Sequence, residues 1–213
     1  MLKILITLAI KINLPAILRL AAKLEYGAGI FCFKLSQRAA DDGYPTLYKN
    51  LRHQYAQEDA HAKMLGSLID GQDRLKRNFP TGTDSHKKWE PFDGISQRYW
   101  AAKLFFWFKK PEQLDWADTL AFMSVIEVIV ASFYEVLAQN QDGSVRAIAS
   151  KILAEELDHS EYLKLALSSF HSSPESMITK WEDRVILGAI GGVLDLIEKF
   201  FRNLLELRYF LKQ

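Results

Sequence analysis

Cysteine is almost missing from this chain: one, Cys32, stands in 213 residues. A lone cysteine excludes an internal disulfide and argues against a thiolate metal site, so a reducing, cytoplasmic compartment is expected. Charge of one sign is missing too. Lys+Arg number 27 against 26 Asp+Glu, a net charge of +1 with no basic run, which excludes nucleic acid as a primary partner. Long apolar runs are also absent. The opening MLKILITLAI is broken by Lys11 and lacks a clean small-residue cleavage signature, so it is not expected to be a signal peptide. Near the other end, only ten uncharged residues separate Arg184 from Asp195, where a membrane span needs about 20. That segment reads as a buried helix, with Gly188 and Gly192 spaced for close helix approach. Short alternating runs that would signal strands are scarce as well.

What the chain does have is apolar spacing of helical period, with Gly and Pro falling between segments, so the expected fold is all-α. Pro15 suits the first turn of a helix running to about residue 40, stopped by Asp41-Asp42-Gly43. Pro45 opens a second helix reaching about residue 70. Residues 71–94 hold Gly71, Pro80, Gly82, Pro91 and Gly94 among polar residues, a long crossover. A short aromatic helix is expected over 95–109, a third main helix from Pro111 to about residue 140, and a fourth over 144–170 after the Asp142-Gly143 turn. Ser173-Pro174-Glu175 then caps a C-terminal helical extension, 174–213. One domain is expected over residues 1–213, with its core bundle at 15–170. Four long helices with one long crossover after the second is the arrangement of ferritin-like bundles.

Within this frame the chain repeats itself. EDAH at 58–61 and ELDH at 156–159 each place a glutamate three residues before a histidine, in a chain with five histidines. Each unit follows a helix with a central glutamate, Glu25 or Glu127, which precedes a phenylalanine by six positions. Glu25 lies 33 residues before Glu58, and Glu127 lies 29 before Glu156, similar separations for antiparallel helices meeting at one level. Residues three apart share a helix face, so Glu58 with His61, and Glu156 with His159, can both point inward. Four buried carboxylates without cations would each cost several kcal/mol or neutralise through a shifted pKa, roughly. Two divalent metals offset four negative charges, and oxygen with imidazole donors suits iron, with manganese as the alternative. Glu25, Glu58, His61, Glu127, Glu156 and His159 are therefore the candidate metal ligands, matching the two Glu plus two Glu-x-x-His set of dinuclear carboxylate bundles. Structural salt bridges are the bland alternative. Ala21, Ala22, Ala28 and Gly29 around Glu25, and Met123, Val130 and Ala131 around Glu127, favour burial.

Glu155 competes with Glu156; the match to EDAH selects Glu156 and leaves Glu155 as either an acceptor orienting a ligating imidazole or a surface charge. Glu135 is too near Glu156 in sequence to share its level and is assigned to solvent or to the surroundings of the ligands. Tyr55, Tyr134 and Tyr162 lie one or two turns from ligands and are read first as core, with gating or hydrogen-bond donation near the ligands as the alternative. His53, His86 and His171 fit neither repeat and are expected at the surface. On these residues, the stretch 15–170 resembles the ferritin-like di-iron carboxylate superfamily. EYGA at 25–28, QEDAH at 57–61 and EELDH at 155–159 are similar to motifs of the demethoxyubiquinone hydroxylase family, although residues 71–118 depart from that family's middle region. The resemblance implies the same six ligands.

The expected function is that of a non-haem di-iron oxidoreductase, using two Fe ions and dioxygen or peroxide on a small apolar substrate, with an electron donor the sequence does not name. Ferroxidase or rubrerythrin-like peroxidase activity is the first rival, and a non-catalytic metal-stabilised bundle the second. RYWAAKLFFWFKK at 98–110 sets Trp100, Phe105, Phe106 and Trp107 beside Arg98, Lys103, Lys109 and Lys110. It reads first as a crossover helix packed on the bundle; the alternative is an interfacial helix giving peripheral membrane contact. A homodimer stays open.

Overall fold

The computed structural model describes residues 2–69 and 113–188; the whole expected crossover at 71–94 with His86, the expected aromatic helix at 95–109, Pro111, Gly192 and the extension beyond 188 lie outside the described residues. Four long helices make up most of what is described: α1 (Leu2–Asp41), α2 (Pro45–Ser67), α3 (Trp116–Leu137) and α4 (Gly143–Leu167). No strand occurs among the described residues. The architecture is an all-α, ferritin-like bundle.

The helix ends follow from local chemistry. α1 begins before Pro15, but Asn13 leaves helical geometry (φ −156°, ψ 74°) and its Oδ1 accepts the Ala16 N–H at 3.1 Å. Asn13 thus caps a fresh helical start, with Pro15 tolerated in its first turn. The sequence places that start correctly and misses that residues 2–12 are helical as well. At the other end of α1, Tyr44 N–H reaches Ala39 O at 2.8 Å and Gly43 N–H reaches Ala40 O at 3.2 Å, with Gly43 at φ 78°. This is a Schellman turn, which needs the left-handed residue that glycine supplies. α3 begins at Trp116 rather than Pro111, because Asp115 accepts the Asp118 N–H and fixes the start there. Asp142 caps α4 through the Ser144 and Val145 amides. Helical structure resumes over 174–188, as Ser173-Pro174-Glu175 suggests.

Two apolar layers hold the helices together. One joins Cys32, Leu35 and Ala39 of α1 with Leu47 and Leu51 of α2, Leu120 and Phe122 of α3, and Leu163 and Leu167 of α4. The other joins Leu18 and Ala22 with Leu65, Tyr134, Leu137, Val145 and Ile152. The first layer therefore collects the start of α2 and the start of α3, and the second collects their ends. α2 and α3 run parallel, so the chain leaves α2 at one end of the bundle and enters α3 at the other, the topology expected of one long crossover. Trp181, fully buried, extends the first layer and donates Nε1–H to Asp118 at 2.8 Å. α3 is long and apolar enough by composition to cross a membrane, yet over half of its most apolar window (56 %) is buried inside the bundle and it carries Glu127. It is explained as a core helix.

Candidate metal centre

Between those two apolar layers lies a polar one. Glu25, Glu58, His61, Glu127, Glu156 and His159 are all buried, none more than 6 % exposed. The structure brings all six sequence-predicted residues together, one glutamate from each of α1 and α3 and one Glu-x-x-His pair from each of α2 and α4. Gly29 sets the spacing of α1 and α2 at this level: a Cβ there would stand 3.2 Å from the Glu58 Cβ.

The six fall into two overlapping sets. Glu25, Glu58, His61 and Glu156 can direct one ligand atom each to a common point, and Glu58, Glu127, Glu156 and His159 can do the same. Glu58 and Glu156 belong to both. Glu58 turns Oε2 to His61 Nδ1 at 3.5 Å and Oε1 to His159 Nδ1 at 3.4 Å. Glu156 turns Oε1 to His61 Nδ1 at 3.1 Å and Oε2 to His159 Nδ1 at 3.4 Å. Each central carboxylate thus offers one oxygen to each half, while Glu25 and Glu127 stand at opposite ends. The imidazole centroids are 6.2 Å apart.

The fit to cations shows in what is left unpaired. Glu58 Oε2, Glu156 Oε1 and His61 Nδ1 are buried without a hydrogen-bond partner and converge on one point, an arrangement costly by itself and satisfied by a divalent ion. Protonation reflects the same strain. Burial, then the neighbouring Glu156 charge, push Glu58 and Glu127 well above the usual carboxylate range. Glu156 is raised too, by burial and then the Glu25 charge. Burial works against ionising Glu25 as well, but the nearby His61 and Glu58 and the hydrogen bond from Tyr134 prevail and lower it. Burial also works against charging His61, yet the Glu156, Glu25 and Glu58 carboxylates, 3.1–3.6 Å from Nδ1, lift it to about 12. His159 is lowered, mainly by burial. Without metal the cluster lessens its own repulsion by holding protons.

Of the supporting residues, Gln54 and Gln57 were not legible as such. Tyr134, read first as core with hydrogen-bond donation as the alternative, is buried and also donates its hydroxyl to Glu25 Oε1. Gln54 donates to Glu58 Oε1 at 3.1 Å and Glu127 Oε1 at 2.7 Å, and Tyr162 donates to Gln54 Oε1. Gln54 stands one turn before Glu58 on the same face, the only hint the sequence held. Glu155 takes the orienting role, 2.7 Å from His61 Nε2, and Gln57 stands 3.0 Å from His159 Nε2. Glu135 is on the surface, paired with Lys3 at 2.7 Å. His53 is exposed, as expected, and His171 is half-buried. Tyr55 packs against Phe33. A cleft of about 460 Å³ lined by Trp116, Phe170, Met177 and Lys180 includes none of the six.

Comparison with family models, with curated proteins and with solved structures gave no significant match. The side-chain geometry therefore carries the assignment: a helical bundle with a buried paired Glu/His cluster able to coordinate two metal ions.

Proposed function

We propose that this chain is a non-haem di-iron oxidoreductase that activates dioxygen or peroxide and acts on a small apolar substrate. The observation that supports it is the sharing of Glu58 and Glu156, each presenting one oxygen to either half, since a single ion or a set of salt bridges gives no reason for that symmetry. Two ferrous ions held by the six residues would supply the electrons that reduce the oxidant. Glu25 and Glu127 would close the outer ends, and His61 and His159 would bind through Nδ1, leaving Nε2–H to donate outward to Glu155 and Gln57. The Tyr134 hydroxyl would hold Glu25 in place, and Gln54 would do the same for Glu127. Phe31, Cys32, Phe122 and Met123 on one side and Leu65 and Ile152 on the other keep bulk water from the centre and suit an apolar substrate. The electron donor is external to the residues named here, and a cytoplasmic setting is proposed because ferrous iron needs a reducing compartment, with which the lone, unpaired Cys32 is compatible.

The test is anaerobic loading with Fe(II) followed by oxygen exposure. The expected result is two irons bound per chain and oxygen consumption that ceases in Glu58→Ala. Continued turnover of added Fe(II) with assembly into a large shell would instead favour iron storage, and iron binding with no oxygen consumption would favour a structural metal.

A further inference from the structure

The two halves of the centre match in what faces inward and differ in what stands behind. Gln57 and Glu155 occupy the same place in the repeat, one residue before Glu58 and Glu156, and each crosses to the imidazole of the other half. Glu155 Oε2 lies 2.7 Å from His61 Nε2, while Gln57 Oε1 lies 3.0 Å from His159 Nε2. With both Nδ1 atoms turned to the shared carboxylates, one ring donates its remaining N–H to a carboxylate and the other to a neutral amide. A charged acceptor makes the stronger hydrogen bond and the more electron-rich imidazole. Lys151 Nζ, 4.0 Å from Glu155 Oε1, is itself largely exposed, so it tempers this effect without cancelling it.

A second difference points the same way. The Gln54 amide occupies Glu58 Oε1 and Glu127 Oε1, both oxygens of the His159 half, and draws electron density from them. On the His61 half, Glu58 Oε2, Glu156 Oε1 and His61 Nδ1 meet one another at 3.1–3.5 Å, and no amide or hydroxyl donates to them. Tyr134 engages Glu25 Oε1 there, leaving Oε2 toward His61 at 3.6 Å. One position has donor atoms that mostly face one another and a charged residue behind its imidazole; the other has two donors taken by an outside amide and a neutral residue behind.

We propose that the two cation positions are unequal: the position formed by Glu25, Glu58, His61 and Glu156 takes a divalent ion first and holds it more tightly, and Glu155 is the positioning residue that sets this order. The inference rests on reading the cluster as a dinuclear centre.

Titration of the metal-free full chain with Mn(II), reading free ion by electron paramagnetic resonance, tests it without reference to activity. The unsubstituted chain should bind two ions in two steps at least about tenfold apart. Glu155→Gln, the same size and at a partly exposed position, should weaken the tighter step about 10–100-fold, the usual effect of losing such a partner, and leave the looser step in place. Gln57→Glu should tighten the looser step instead. Two equal steps in the unsubstituted chain, or a Glu155→Gln variant that loses affinity equally in both, would overturn the inference while sparing the dinuclear reading. Uptake of fewer than two ions by the unsubstituted chain would sink both. If Glu155→Gln does not fold, as judged by circular dichroism, Gln57→Glu decides: an unchanged looser step overturns the proposed role of the outer partner.

Discussion

Glu156 shows how far one side chain could be understood from sequence. Its choice over Glu155 followed from the EDAH match alone, and the two prove to face different ways, Glu156 fully buried and Glu155 reaching the outer edge of His61. What sequence could not show is which ligand each supporting residue reaches. Gln54, Gln57 and Tyr134 meet their partners across helix interfaces, and no spacing within one helix encodes a contact 73, 102 or 109 residues away. The crowding of carboxylates leads to a prediction whose size separates a metal centre from structural salt bridges. Glu156→Gln keeps the side-chain volume, removes a buried carboxylate that repels Glu58 and Glu127 and leaves Glu25 and Glu58 beside His61, so the metal-free chain should keep its stability against denaturant within about 1 kcal/mol. The same variant should lose metal uptake. If Glu156 serves as a structural ion-pair partner of His61, the substitution destabilises the metal-free chain instead.

The helices were legible wherever a stop or start is chemical and local. Asp42-Gly43 and Pro45 mark the α1–α2 turn, and Asp142 marks the start of α4, because caps and left-handed turns depend on neighbouring residues only. The third helix was placed too early for the same reason in reverse: Pro111, outside the described residues, permits a helix start, but Asp115, four residues on, caps the helix that begins at Trp116. The helix before Asn13 was missed because Pro15 reads as a beginning whether or not another helix precedes it. Gly43 offers a clean check. An added Cβ would touch nothing within 4 Å, so Gly43→Ala can act only through backbone conformation. The expected cost is about 1–2 kcal/mol, read from the urea midpoint at unchanged slope, and an unaltered midpoint would contradict the Schellman turn.

For the whole bundle, the order of two apolar layers around a polar one is what the sequence repeat implied, since each half supplies apolar residues on both sides of its acidic level. The parallel course of α2 and α3 was readable from the length of the connection, whereas the path of that connection was not. The polar layer makes stability depend on pH in a direction unusual for a soluble domain. Glu58, Glu127, Glu156 and His61 are raised in the fold, whereas Glu25 and His159 are lowered. A raised group contributes stability below its unfolded pKa and loses it as pH climbs through its folded value. With four raised against two lowered, the metal-free chain should melt at a lower temperature as pH rises from about 5 to about 8. Metal binding displaces those protons, so the loaded chain should show the opposite trend, and parallel trends in both forms would contradict the proton assignment.

The most direct measurement is an anomalous difference map, at the iron edge, from crystals of the full chain grown with Fe(II). Two peaks about 3.5–4 Å apart, flanked by Glu25 with His61 and by Glu127 with His159 and bridged by Glu58 and Glu156, are the predicted result. Absence of density between the four helices, or a solitary peak at the surface, would contradict it.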